Sequence, residues 1–339
     1  MKTKTIPTEQ SLGLALSHDL TLISPSEGFK GPKFKKGHVI EEKDLPVLRS
    51  MGRENLTVLE LEEDEVHEDD AALRLAKAIT GGNLEVRGPG EGKCSLIARC
   101  DGLLDLDPDS INLINQDRHW IVATLSNHIP VKKGENVASF RVLPLAVKEA
   151  QVKRAQELAR PISILPYDPK KVALVTTGRE IAEGRIKDVF RPMLEDKIAP
   201  YGGSLVHYSI VTDEREAIGE AIEEAIGSGS NLVVCTGGMS VDADDVTSSA
   251  IADKTDKVVI KGVPLLPGCH FMLATKGPVT VLGVPGGAVF EPLTSLDIVL
   301  PRIFAGKHPD DDQVRSWGVG GLCRHCPVCN FPCCSFASR

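Results

Sequence analysis

The chain has 339 residues, 42% of them apolar and 25% charged, with a net charge of −8 at neutral pH. That length suits two domains, and that balance excludes collagen-like, coiled-coil and largely disordered chains. Net acidity and only 4% aromatic residues argue against nucleic acid as a partner, though not against a local anion site built from backbone amides.

No run approaches the ~18 apolar residues of a membrane span, so no membrane partner is expected. The lysines of MKTKTIPTEQ have no apolar stretch behind them, which speaks against a signal peptide and for a cytoplasmic location. A homo-oligomer is compatible with the sequence, which does not fix one.

Residues 1–165 read as a smaller, β-rich domain. KFKKGHVI, ENLTVLEL, CSLIARCDGLLDLD, HWIVATLS and VASFRVLPL are short apolar runs set between Gly, Pro and Asn turns, the pattern of strands. DDAALRLAKAI is a helix, with acids in its first turn, Lys77 late and Gly81-Gly82 as a stop. The acidic run around His67 before it reads as a solvated face at the positive end of that helix rather than a metal site. KEAQVKRAQELARP is a short polar helix closed by Pro161, and the Pro-rich ILPYDPKK marks a boundary.

Residues 170–306 change character. VALVTTG, LVHYSIVTD, NLVVCTGG and VTVLGVPGG are apolar strands. GRIKDVFRPMLEDKIAPYGG, EREAIGEAIEEAIGSG, DDVTSSAIADK and AVFEPLTSLDIVLPRIFAG are the helices between and after them. Such alternation predicts an α/β domain of three layers, a parallel sheet covered on both faces. Ligands bind beyond the carboxyl ends of strands in such sheets.

Three glycine turns fall at those ends. CTGGMSVDADDVT places Gly237, Gly238 and the Ser240 hydroxyl between a strand and a helix, the build of a phosphate cradle. Because the cradle is at a strand end, a side chain at Gly238 is expected to block a ligand before it disturbs the core. Asp242, Asp244 and Asp245 are too crowded for all to be caps; the remainder suit a hard cation beside a phosphate. VTTGREIAEGRIKD supplies Thr176, Gly178 and Asp188, and VPGGAVFEP supplies Pro285, Gly286 and Gly287.

Residues 170–306 resemble the molybdopterin-binding domain of molybdenum cofactor biosynthesis proteins. The likeness rests on TTGREI, GRIKD, VTDEREAI, TGGMSVDADD, LLPG and GVPGG, in that order. More loosely, SLGLALSHDL and the β-rich stretch after it resemble the leading part of the molybdenum-insertion enzyme. The resemblance implies that Thr176, Gly178, Gly237, Gly238 and Ser240 bind the phosphate of molybdopterin. It also implies that Asp188, Asp213 and Asp245 are the acids around metal and nucleotide, with Mg²⁺ as the metal. The expected function is that of a molybdopterin molybdenumtransferase-like enzyme, inserting molybdate into the pterin. The alternatives are a noncatalytic molybdopterin carrier or redox or metal sensor, and a nucleotide-binding domain of the competence-damage type. Four departures favour binding over catalysis. Phe190 and Gly287 stand where the family has Asn, Asp242 replaces a Gly, and Cys269-His270 replace Lys-Pro, which together remove groups that orient anions.

Residues 307–339 form a Cys-rich tail. Of nine cysteines, Cys94, Cys100, Cys235 and Cys269 read as small buried hydrophobes, and five crowd into the last 17 residues. Cys323, Cys326, Cys329 and Cys333 follow C-x2-C-x2-C-x3-C, a spacing that suits either a [4Fe–4S] cluster or Zn²⁺. So short a segment is expected to owe its order to that metal.

Overall fold

A computed structural model of the chain describes residues 2–24, 29–239 and 246–337. The chain divides into two units. One holds the described residues up to Arg99 with Leu106–Leu125 and Gly134–Ser163; the other holds Cys100–Asp105, Ser126–Lys133 and the described residues from Ile164 onward. Two short pieces of the first sequence region therefore belong to the second unit. The run CSLIARCDGLLDLD is cut accordingly: Lys93–Ala98 pairs in the first unit, while Gly102–Asp105 pairs with Pro130–Val131 in the second.

In the first unit, an antiparallel sheet runs in the order Leu84–Gly90, Lys93–Ala98, Asn136–Val142, Trp120–Thr124. The helix Glu68–Ile79 buries Ala71, Ala72, Leu75, Ala76 and Ile79, the one-face spacing of an amphipathic helix. A helix absent from the expectations, Pro108–Asn115, starts on Asp107, whose carboxylate accepts from the Asp109 and Ser110 amides. Asp before Pro at the first helical position is a start signal that the sequence does carry.

The acidic turn is less solvated than expected. His67 is buried, and its Nδ1 accepts from the Asp69 amide, which makes it a cap. Glu68 is also buried, under Gly37 and Gly92, where a Cβ would come within 2.8 and 3.0 Å of its carboxylate oxygens. Burial first, then the neighbouring Asp69, pushes the Glu68 carboxyl up to about 7.

The second unit is built on one six-stranded sheet: Lys171–Thr177 (β1), Ser204–Val211 (β2), Leu232–Thr236 (β3), Lys257–Lys261 (β4), Met272–Lys276 (β5) and Val279–Val284 (β6). The order is β2-β1-β3-β6-β5-β4. The first four run parallel, but β5 runs opposite to both its neighbours, β6 and β4, so the sheet is mixed rather than wholly parallel. The reason is local: β5 and β6 are joined by Gly277-Pro278 alone, and a two-residue link can only reverse the chain.

Helices cover both faces: Phe190–Ile198 (α1), Arg215–Gly227 (α2), Thr247–Lys254 (α3) and Ser295–Phe304 (α4). Alternate residues of each strand serve opposite cores. Val172, Leu174, Leu232, Val234 and Leu282 pack with Leu194 of α1 and Leu300 of α4. Ala173, Val175, Val233, Cys235 and Val281 pack with Ile218 of α2 and Ile251 of α3. Two covered faces explain why these strands read as unbroken apolar runs.

Two helices are shorter than their sequence patterns. Gly184 takes φ +72°, and α1 starts only after Asp188, whose carboxylate accepts from the Phe190 amide at 2.8 Å. Similarly, α4 waits for Thr294 and Asp297, which close a capping box beyond Pro292. No helix of the described residues is long and apolar enough to cross a membrane.

The tail is not left to its thiols for anchorage. Val314, Trp317 and Phe336 join the apolar cluster on the α1/α4 face of the sheet, and Leu322 bridges Leu266. Of the four scattered cysteines, Cys94 and Cys235 are fully buried, whereas Cys100 and Cys269 are half-buried.

The raised carboxyl of Glu68 has a testable sign. Its folded value lies above its unfolded one, so its contribution is most favourable below about 4.5 and is lost as pH rises through about 7. Replacing it, Glu68→Gln, is expected to raise the melting temperature of the protein by a few degrees at pH 8 and by little at pH 4.5. Melting curves across that range check this; a constant difference between the two proteins contradicts it.

Candidate ligand-binding site

Register sets the site. Thr176 of β1 pairs with Thr236 of β3, and Thr236 pairs with Val284 of β6. Gly178, Gly237-Gly238 and Pro285-Gly286-Gly287 therefore leave the sheet side by side at its carboxyl edge, and the three turns do meet there.

Their glycines differ in role. Gly237 has φ +89°, and a Cβ on it would lie 2.6 Å from the Thr177 carbonyl oxygen. Gly238 has φ +53°, and its Cβ would lie 2.6 Å from Thr247 Oγ1 at the start of α3. The Gly238 carbonyl also accepts from the Thr247 amide at 3.2 Å. A side chain at Gly238 would thus collide with the fold itself, contrary to the expectation that it meets a ligand first. Gly286 and Gly287 have nothing within 4 Å of a built Cβ, so the β6 turn is the open wall of the cradle. Pro285 precedes its 3-10 turn, Gly286–Val289.

The hydroxyls are buried. Thr177 Oγ1 lies 3.3 Å from Thr247 Oγ1, tying β1 to α3. Thr176 Oγ1 donates to Asp188 at 3.4 Å. Thr236 Oγ1, fully buried at the end of β3, has no partner among the described residues.

Asp188 is a hub. One carboxylate oxygen caps α1; the other accepts from Thr176 and, at 2.6 Å, from the Tyr208 hydroxyl of β2. Burial and that carboxylate push the Tyr208 hydroxyl well above its ordinary range, keeping it a donor. The Arg191 guanidinium sits over the Tyr208 ring, 5.1 Å from its centre. Asp213, just past β2, accepts from the Arg179 amide at 2.9 Å and pins the first turn after Gly178. Both acids hold loops in place. Tyr208 and Arg191 carried no motif, because their partners come from other elements.

Ser240, Asp242, Asp244 and Asp245 lie outside the described residues. Among the described residues, no three His, Cys, Asp or Glu side chains are gathered as a metal ion requires. This includes Cys323, Cys326, Cys329 and Cys333, the last three of which are exposed.

Comparison with known proteins adds a family. Residues 173–305 match the family described as a probable molybdopterin-binding domain, and residues 5–60 match a domain of unknown function. A CinA-like protein of Anaeromyxobacter dehalogenans is 34% identical over 95 residues, which are 28% of this chain and 22% of that protein. A molybdopterin molybdenumtransferase of Nostoc sp. is 29% identical over 147 residues, 40% of this chain and 34% of the enzyme. The chain thus spans between about a fifth and a third of these relatives. Among solved structures, the tungsten cofactor synthesizing protein MoaB of Pyrococcus furiosus is 23% identical and covers 40% of this chain and 94% of its own, with a TM-score of 0.34. The protein CinA of Thermoplasma acidophilum is 19% identical and covers 35% and 89%, with a TM-score of 0.32. The stretch from Ala173 to Ala305, which carries the three glycine turns, is the part of the chain that matches the probable molybdopterin-binding domain family.

Proposed function

We propose that the second unit is a cytoplasmic molybdopterin-binding component of molybdenum cofactor biosynthesis, holding the pterin's phosphate in the cradle at the ends of β1, β3 and β6. The observation that carries this reading is the registered convergence of the three turns, one of which, Gly237-Gly238, has no room for a side chain. Glycine turns let amides approach an anion closely, and the orphaned Thr236 hydroxyl adds a buried donor beside them. The open Gly286-Gly287 wall leaves room for the ligand.

Binding without chemistry is the reading the geometry favours. Phe190, where the family has Asn, is buried in the apolar core. Gly287 offers no side chain, and the mapped acids Asp188 and Asp213 are engaged as loop anchors. A molybdenumtransferase activity is the second reading, supported by the partial match to the Nostoc enzyme. In that reading Asp244 and Asp245 hold Mg²⁺ against the ligand's phosphates, a donor set suited to a hard cation, and molybdate is the second substrate. A nucleotide, the ligand of the competence-damage-type reading, is the competing ligand.

Anaerobic purification and mass identification of the bound small molecule separate these readings. A bound pterin, or its tight uptake in titration, supports the proposal; a nucleotide with no pterin affinity overturns it. Formation of molybdenum-loaded cofactor from adenylylated pterin and molybdate would decide for the transferase.

The glycines give a second check. Gly287→Val is expected to keep the parent melting temperature and to weaken pterin binding by more than tenfold. Gly238→Val, strained and clashing, is expected to cost about 1–3 kcal/mol of stability as well. Calorimetric titration beside thermal melts checks both; unchanged affinity in Gly287→Val places the ligand elsewhere. For the acids, Asp245→Asn is expected to abolish the Mg²⁺ dependence of pterin binding while sparing metal-free binding. Equal Mg²⁺ dependence in variant and parent would reduce Asp245 to a cap.

A further inference from the structure

The C-terminal loop carries five of the nine cysteines, and pterin binding uses none of them. Its base is already closed. The Leu266 amide donates to the Gly321 carbonyl and the Cys323 amide to the Leu266 carbonyl, both at 2.8 Å, and the Ala337 amide returns to the Gly320 carbonyl at 3.1 Å. Phe336, buried in the apolar core of the second unit, anchors the returning end. The entropy of bringing the loop's ends together is therefore met by the fold and not charged to any ligand of the thiols.

Within that closed loop, Cys323, Cys326, Cys329 and Cys334 line one cleft, walled on its other side by Glu291–Leu293. Cys333 is not among the lining residues. It is exposed, with its amide turned back to the Asn330 carbonyl at 2.7 Å. Cys334 instead is half-buried against the apolar core. The first C-x2-C turn is folded as a sulfur-facing knuckle: the His325 amide points at Cys323 Sγ at 3.5 Å, and His325 takes φ +49° to do so. An amide aimed at a cysteine sulfur is the turn geometry that orients a sulfur ligand, and a non-glycine residue in the left-handed region is a cost retained where function uses it.

We infer that this cleft is a tetrathiolate metal site formed by Cys323, Cys326, Cys329 and Cys334, with Cys333 outside it. The pattern is then C-x2-C-x2-C-x4-C. The four sulfurs line the same cleft without being drawn to one point, so binding turns side chains, of which Cys326 and Cys329 are exposed and free to rotate. Each thiol releases its proton as it becomes a ligand. Four thiolates with no nitrogen or oxygen donor suit Zn²⁺ or a [4Fe–4S] cluster and leave no open catalytic position on zinc.

The test uses the full chain, purified anaerobically and reconstituted in parallel with Zn²⁺ alone or with Fe³⁺, sulfide and a thiol reductant that supplies the electrons for the mixed-valence cluster. The expected result is about one zinc, or about four irons with visible charge-transfer absorption, per chain in one of the two arms. Iodoacetamide footprinting of that loaded protein needs no variant: Cys326 and Cys329 should resist alkylation until a chelator is added, whereas Cys333 should react throughout. Metal content should fall more than tenfold in Cys334→Ser and stay at the parent level in Cys333→Ser. No bound metal in either arm overturns the site. Protection of Cys333, or loss of metal in Cys333→Ser with retention in Cys334→Ser, overturns the assignment of the fourth ligand.

Discussion

The pairing register of β1, β3 and β6 is the constraint on which the second unit's ligand edge depends. Both faces of these strands are buried, so a slip by one residue would exchange the residues that meet α1 and α4 with those that meet α2 and α3. The two cores are not interchangeable. One face of these strands carries Leu beside Val, the other Ala, Val and Cys. A mismatch of that kind overfills one layer and leaves voids in the other, each costing kilocalories. The three strands therefore end at one level, and the turns that follow inherit that level without needing contacts of their own.

Polar groups then fix what the strand ends cannot. Asp188 links β1, β2 and α1 through three donors, and Asp213 holds the turn after Gly178. These bonds lie where the chain leaves regular structure, so the loop between β1 and α1 is shaped from both sides. The Thr177–Thr247 contact does the same for the β3 turn, joining β1 to α3 across it. The cradle is a set of backbone segments held by side chains that point away from it.

What the sequence revealed depended on whether its cause was local. The strands at the centre of the second unit, and α2, show up as long periodic runs because both faces or one full stripe are buried. β4 and β5 do not: Lys257–Lys261 is a short edge with three exposed residues, and no pattern of alternation survives there. The starts of α1 and α4 were blurred because Asp188 and Thr294 cap them from inside what reads as one amphipathic segment. Glycine turns were legible, yet which glycine faces open space was not, since Gly238 is crowded by Thr247 of another element and Gly287 by nothing. The burial of Glu68 is likewise a tertiary fact, made by Gly37 and Gly92 at a distance along the chain. In the tail, spacing announced the cysteines, but only packing against the core separates Cys334 from Cys333.

Trp317 and Phe336 bear on where this domain ends. Both lie beyond Ala305, the last residue matched to the family, yet both belong to the same apolar cluster as β1, β3 and α4. The guanidinium of Arg302, itself buried, lies over the Trp317 ring at 4.9 Å. A protein cut at the limit of family similarity would uncover that ring, strip a buried cation of its aromatic cover and open the core from its C-terminal side. The evolutionary unit and the cooperative folding unit of this chain thus have different borders, and the cysteine-bearing segment lies inside the second of them.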